Sequence, residues 1–311
     1  MNLYFRRARQ ALCVGTRLLT QGKAATVGVP RFICSDVPKS LLADGFKVTY
    51  YEVTASLEPD FNYPAPMCDI LLLVNYFGFA APVSKVDQIW QFPRTRIIED
   101  NAHGLFSCDL DGLSLGSRTA IGVTSFRKTL RVPDGGILHV NDPSFVASAF
   151  AYNLPPSQQK LDMGFRMRAA IYSLEKKTHL PLMNISRTIK RVVRPIRQGE
   201  GSADSNPQPV SHDSLAILQC HDSTREIARR RNLYFSTMNI VESSGGQLIF
   251  SALPDGVAPY CLPFIGPTSV AQLVQRRLFW RGREVFSWPD LPATNNTSVA
   301  WQQNVHLVSF L

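Results

Sequence analysis

The 311-residue chain has no apolar run approaching the roughly 18–20 residues that cross a bilayer. Its best candidate, Ile70-Leu71-Leu72-Leu73-Val74, is stopped by Asn75 and is expected to be a buried strand. Paired cysteines are also missing. The six cysteines, Cys13, Cys34, Cys68, Cys108, Cys220 and Cys261, include no C-x-x-C pair. In a chain of this length that argues for reduced thiols in a cytoplasm rather than a disulfide framework. Histidines are scattered, so no metal site is expected. There is no G-x-S-x-G, no Walker-type phosphate loop and no G-x-G-x-x-G turn. Basic residues are not interleaved with an RNA-reading aromatic motif, which leaves nucleic acid binding resting on net charge alone. No acid precedes Asp36, while Arg6, Arg7, Arg9 and Arg17 give the N-terminus a faint transit-peptide character. Val27–Ile33 already has the pattern of folded structure, so the N-terminus is taken as part of the fold.

What is present describes an ordinary globular protein: 45% hydrophobic and 18% charged residues, with a formal charge of +9. The positive balance favours anionic ligands or surfaces. Apolar positions in residues 2–21 predict an amphipathic helix. Short apolar runs then alternate with helical stretches. Strands are expected over 27–34, 47–53, 69–76, 95–99, 119–124 and 136–140, with helices over 37–43 and 83–90. Such alternation predicts a mainly parallel α/β sheet. Residues 143–195 read as largely helical, with Arg187, Lys190, Arg191, Arg194 and Arg197 on one basic face. Residues 198–210, QGEGSADSNPQPV, have no apolar periodicity and are expected to be a flexible linker. A helix over 214–238 and strands over 247–252, 258–265 and 283–286 follow, around a helix over 270–278. The expected division is therefore a large domain over 1–197, the linker, and a smaller α+β domain over 211–311.

The chemistry is concentrated in residues 97–136. Strand 95–99 leads into Asp100, and strand 119–124 leads into Ser125-Phe126-Arg127-Lys128, followed by Gly135-Gly136. Ligands of open α/β sheets sit at the carboxyl ends of strands. An acid and a lysine delivered there meet the needs of pyridoxal phosphate chemistry. The carboxylate keeps the ring nitrogen protonated, and the lysine holds the aldehyde as a Schiff base and later moves protons. Ser125 can donate its hydroxyl to a phosphate, and the glycine pair lets backbone pass close by. Lys85 and Lys160 have no comparable setting. Phe32, Tyr76 and Phe77 are the aromatics best placed to stack on a flat ring, with core packing as the competing role.

The run IIEDNAHG, the short insert after it, and TSFRKTLRVPDGG resemble the cofactor core of fold-type-I pyridoxal phosphate enzymes. The greatest similarity is to the DegT/StrS sugar aminotransferases. The resemblance implies Lys128 and Asp100 as catalytic and cofactor-binding residues. His103 would lie near the ring oxygen, where relatives often carry glutamine, and Ser125 would bind the phosphate. Arg7-Ala8-Arg9 resembles the small-residue turn under the phosphate, with Ala8 where glycine is usual and Arg7 or Arg9 as a source of charge. Lys128 follows Ser125 by three residues where many relatives have five, so a tighter turn is expected. Further implications are pyridoxal 5'-phosphate as cofactor, a nucleotide-linked keto sugar and an amino donor as substrates, a role in polysaccharide or antibiotic biosynthesis, and a homodimer. Relatives usually continue past His306–Leu311, so the small domain is expected to be reduced. The altered phosphate turn leaves a second reading open, a fold relative without activity that serves as a binding or scaffold protein. The retained Asp100 and Lys128 argue against it.

Overall fold

The computed structural model describes residues 1–158, 165, 167, 170–172, 174, 178, 205–288 and 300–310. The basic face at 187–197 and Lys160 lie outside the described residues. The chain opens with strand β1 (Asn2–Phe5) and helix α1 (Ala8–Thr20), then β2 (Thr26–Pro30), α2 (Asp36–Ala43), β3 (Lys47–Tyr51), β4 (Ile70–Val74), α3 (Val83–Ile89), β5 (Ile97–Asn101) and β6 (Ile121–Thr124). A single turn, α4 (Phe126–Thr129), leads to β7 (Gly136–Val140), and another short turn, α5 (Val146–Ala149), follows. These strands form one seven-stranded sheet in the order β1-β7-β6-β5-β4-β2-β3. Strands β3, β2, β4, β5 and β6 run parallel, and β7 and β1 are antiparallel additions at one edge.

The central strands are buried along their whole length, because helices or loops cover both faces of a parallel sheet. All five residues of β4 are buried, as are all five of β5, including Glu99 and Asp100. Glu99 can sit there because its partners are built in. Arg118 Nε donates to Oε1 at 2.7 Å, Asn75 Nδ2 donates to the same oxygen at 2.8 Å, and the Arg118 backbone N–H donates to Oε2 at 3.0 Å. No such set surrounds Asp100.

The expected N-terminal helix over 2–21 is split by the structure. Leu3 and Phe5 are fully buried, Asn2 is exposed and Tyr4 half-buried, a period of two that suits a strand, and β1 pairs with β7. Only from Ala8 does the helical spacing take over. Helix α1 lies against the sheet, and the start of β7 passes so close that a Cβ on Gly136 would stand 2.5 Å from the Ala8 nitrogen. The described part of the expected linker, 205–210, is pinned to this edge. Arg6 N–H donates to the Gln208 carbonyl at 2.9 Å, Gln10 Nε2 donates to the Asn206 carbonyl at 2.7 Å, and Val210 is buried. An edge strand offers unpaired backbone groups, and this stretch satisfies some of them.

The expected helix over 214–238 is two helices, α6 (His212–Cys220) and α7 (Ser223–Glu242). Each is capped by its own side chain: Ser211 accepts from Ser214 N–H and Asp222 from Arg225 N–H. Next come β8 (Gln247–Leu248), β9 (Cys261–Ile265), α8 (Thr268–Leu278), β10 (Val285–Ser287) and β11 (Val305–Ser309). These strands form an antiparallel sheet in the order β10-β11-β9-β8, so His306–Ser309 lie in one of its central strands. The loop before β9 is tied to the first sheet. Cys108 N–H donates to the Gly256 carbonyl and Tyr260 N–H to the Phe77 carbonyl, both at 2.8 Å.

Candidate active site

Parallel register brings the chemistry together. Asp100, near the end of β5, lies level with Val74 of β4 and Val123 of β6. Ser125 is the next residue after β6, and α4 turns once from it, with Lys128 N–H donating to the Ser125 carbonyl at 3.2 Å. Lys128 is thereby carried back over the carboxyl edge of the sheet. Helix α1 begins at the same edge, because β1 and β7 lead its first residues there. The result is a cavity of about 320 Å³ lined by Arg7, Arg9, Asp100, Ser125, Arg127 and Lys128. Ala8 and Cys34 also line it, and Trp288 forms a wall contributed by the C-terminal part of the chain.

His103 stands behind Lys128. Its Nε2 is 3.1 Å from Lys128 Nζ. The imidazole is only 5% exposed and lies between stacked rings, Tyr260 at 4.7 Å and Phe77 at 5.4 Å, with the edge of Trp288 at 5.7 Å.

The electrostatics follow from burial. Removal from water pushes the Asp100 carboxyl above its usual range, opposed by the nearby Lys128 charge and by the Ala102 N–H that donates to Oδ1 at 2.9 Å. Removal from water lowers the Lys128 ammonium, opposed by Asp100 and Cys34. His103 is held well below its ordinary value by burial first and by Lys128 second. Desolvation disfavours every charged form here. Lysine and histidine are consequently biased toward neutral bases, and the carboxylate lacks a full cationic partner among the described residues.

Of the residues singled out from sequence, Lys128, Asp100, Ser125, Ala8 and Arg9 all border the cavity, and His103 touches Lys128. Arg9 is half engaged elsewhere, its Nη1 donating to Asp36 Oδ2 at 3.0 Å. Lys85 pairs with Glu58 at an exposed site. Phe32, Tyr76 and Phe77 are buried in an aromatic cluster with Trp288 and do not line the cavity. Sequence reasoning missed Arg127, Trp288 and Tyr260 as parts of this region. Arg127 was open to discovery as the residue immediately before Lys128. Trp288 and Tyr260 reach the site only through the packing of the second sheet on the first.

The segment that holds β4, β5, β6, α4 and β7 decides the comparison with known proteins. Residues 62–171 match the DegT/DnrJ/EryC1/StrS aminotransferase family. No match was found among the curated proteins. Solved structures match over almost its whole length. PseC of Helicobacter pylori, an aminotransferase involved in the biosynthesis of pseudoaminic acid, is 14% identical with a TM-score of 0.64, over 99% of this chain and 81% of that one. The sugar aminotransferase CalS13 of Micromonospora echinospora is 15% identical with a TM-score of 0.64, over 99% and 82%. The PLP form of Spr1654 from Streptococcus pneumoniae is 14% identical with a TM-score of 0.64, over 99% and 81%. At these identities the likeness is one of fold. The protein has the α/β fold of fold-type-I pyridoxal phosphate aminotransferases.

Proposed function

We infer that the protein is a pyridoxal 5'-phosphate-dependent aminotransferase acting on a nucleotide-linked keto sugar, in polysaccharide or antibiotic biosynthesis. The observation that carries this reading is the meeting of Asp100 and Lys128 at one cavity on the carboxyl edge of the sheet, inside the segment with the family match. A sugar substrate is supported by the description of CalS13 as a sugar aminotransferase, and the nucleotide link and keto group come from the family resemblance. The residues fit the cofactor. A buried carboxylate with a single backbone donor on Oδ1 suits a cationic ring nitrogen, and the arginine-rich start of α1 beside Ser125 suits a phosphate.

Bound there, pyridoxal phosphate supplies an electron sink and an aldehyde that can carry the amino group. Asp100 holds the ring nitrogen and keeps it positively charged. Lys128 Nζ, biased toward the neutral amine by burial, serves first as nucleophile and later as the atom that takes and returns a proton at the substrate carbon. His103 offers its Nε2 to Lys128 or to a ring oxygen beside it. Trp288 walls the cavity, and Tyr260 packs on His103 behind Lys128. A homodimer belongs to the same reading through the resemblance, a cytoplasmic setting through the dispersed cysteines, and the net charge of +9 suits an anionic nucleotide substrate.

The test is titration of cofactor-free protein with pyridoxal 5'-phosphate, followed by borohydride reduction and peptide mass spectrometry. The expected result is a yellow protein whose reduced form carries the cofactor mass on Lys128. A colourless protein at saturating cofactor would favour the scaffold reading, and a label on Lys85 with Lys128 unmodified would sink the site assignment. Incubation with amino donors and a panel of nucleotide-linked keto sugars then identifies the substrates.

A further inference from the structure

Four cationic side chains border the cavity, Arg7, Arg9, Arg127 and Lys128, against two carboxylates, Asp36 and Asp100. Arg9 is paired with Asp36 and Lys128 interacts with Asp100. Arg7 and Arg127 remain, and neither forms an ion pair among the described residues. They stand on different elements, one at the start of α1 and the other on α4. Tertiary structure brings them to the same opening, where Arg9 and Arg6 oppose the Arg7 charge, Arg9 opposes that of Arg127, and Asp134 favours both. Arg7 is half-buried and Arg127 exposed, and partial removal from water together with neighbouring arginine charge lowers both guanidinium groups. Two such charges held together are stabilised by an anion that answers both. A phosphate monoester, with about −1.5 to −2 charge and three acceptor oxygens, has the matching charge.

The backbone completes the cup. Helix α1 spans 13 residues, and its first turn faces the cavity through Arg7, Ala8 and Arg9. Ser125 is 3% exposed, and its hydroxyl has only a long contact of 3.5 Å to the Gly135 carbonyl, leaving it able to donate to a ligand. The tight turn from Ser125 to Lys128 has a consequence for position 127. Arg127 precedes Lys128 on α4 and lines the same cavity, near enough for its charge to oppose the ammonium of Lys128.

We propose that Arg7 and Arg127 form a two-armed clamp on the phosphate of the bound cofactor, supplying by side-chain charge what the Ala8 turn supplies less well by backbone approach. The inference rests on the pyridoxal phosphate reading above and assigns two side chains to the phosphate. Arg9, paired with Asp36 through Nη1 while its buried Nε has no hydrogen-bond partner among the described residues, adds charge beside the clamp.

The experiment isolates the phosphate from the covalent chemistry of Lys128. Pyridoxine and pyridoxine 5'-phosphate have no aldehyde, so each binds without reacting with the amine. Their dissociation constants are measured on cofactor-free protein by tryptophan fluorescence and equilibrium dialysis, and their ratio reports the phosphate contribution alone. Arg127→Gln and Arg7→Gln should each reduce that ratio by about tenfold or more, as expected for loss of a charge-assisted hydrogen bond, while pyridoxine affinity stays within about twofold. Arg127→Lys should recover part of the loss, because it restores charge without the fork. Unchanged ratios in both glutamine variants, with pyridoxine still bound, would overturn the clamp while leaving the cofactor reading intact. A wild-type protein that binds neither compound would overturn the cofactor reading and the clamp with it. Circular dichroism of each variant separates lost binding from lost folding.

Discussion

Lys128 Nζ lies 3.1 Å from His103 Nε2, and the imidazole is held on both faces by Tyr260 and Phe77. The two residues come from different β-α connections, His103 after β5 and Lys128 after β6. The contact matters because an amine must be both neutral and aimed to act as a nucleophile. A neutral imidazole can accept one N–H of the amine and leave the lone pair directed into the cavity. Burial keeps His103 neutral, so the pair avoids like-charge repulsion.

His103→Phe should keep the ring stack but remove the acceptor. Formation of the borohydride-trapped adduct on Lys128 is expected to slow by about tenfold, the scale of one lost hydrogen bond in a desolvated site. Its pH dependence should also move, since the Lys128 amine loses a partner. His103→Gln, which retains hydrogen-bonding capacity, should stay close to wild type. Equal rates and pH profiles in the phenylalanine variant would show that the contact is packing only.

Asp100→Asn leaves the lysine in place and removes the carboxylate. The adduct should still form, but turnover should fall on the order of a hundredfold or more, from loss of charge stabilisation in a buried site. Stopped-flow measurement of the half-reaction with amino donor checks this. Lys128→Ala should abolish the adduct altogether while leaving non-covalent affinity for pyridoxine 5'-phosphate measurable.

Arg230 is fully buried and connects the site to the second half of the chain. It pairs with Glu226 at 2.7 Å and donates to the carbonyls of Thr129 at 2.8 Å, Tyr260 at 3.1 Å and Pro259 at 3.2 Å. Truncation leaves three carbonyls and one carboxylate short of a donor. Arg230→Ala is expected to destabilise the fold by about 3–5 kcal/mol. Urea denaturation measures the loss, and hydrogen exchange should show increased opening of the α4 turn and the Tyr260 loop together. A loss below about 1 kcal/mol would contradict this role.

His139, on β7, makes two contacts of 2.9 Å, one to Thr124 Oγ1 and one to Asn2 Oδ1. Burial pushes its imidazole down to about 4. In the unfolded chain it protonates near 6.5, so between about pH 6.5 and 4 the unfolded state binds the extra proton. Stability from this residue is therefore complete above pH 6.5 and is lost as pH falls toward 4, by on the order of 3 kcal/mol. His139→Gln should flatten the stability profile in that window. A wild-type profile that is already flat there would refute the argument.

The order of elements was legible because each strand or helix declares itself over a few residues. A continuous apolar run marked β4 as a buried strand, and the positions of Asp100, Ser125 and Lys128 at or just beyond strand ends placed them at one edge of a parallel sheet. The split of residues 2–21 into β1 and α1 was not legible. Three or four residues of period two carry little local signal, and pairing with β7 made the difference. Asp100 and Lys128 could be named from sequence because β-α units repeat, and every carboxyl strand end in such a sheet faces the same side. The contact of Lys128 with His103, the pairing of Arg9 with Asp36 and the joint exposure of Arg7 and Arg127 depend on side chains from separate elements meeting across the edge. Tyr260 and Trp288 arrive from the second sheet, whose placement is set by packing and long-range hydrogen bonds. Local sequence therefore determined which chemistry is available, through residue type and strand ends. Tertiary packing decided which charges are left unpaired and which bases are neutral, because both depend on desolvation and on neighbours distant in the chain.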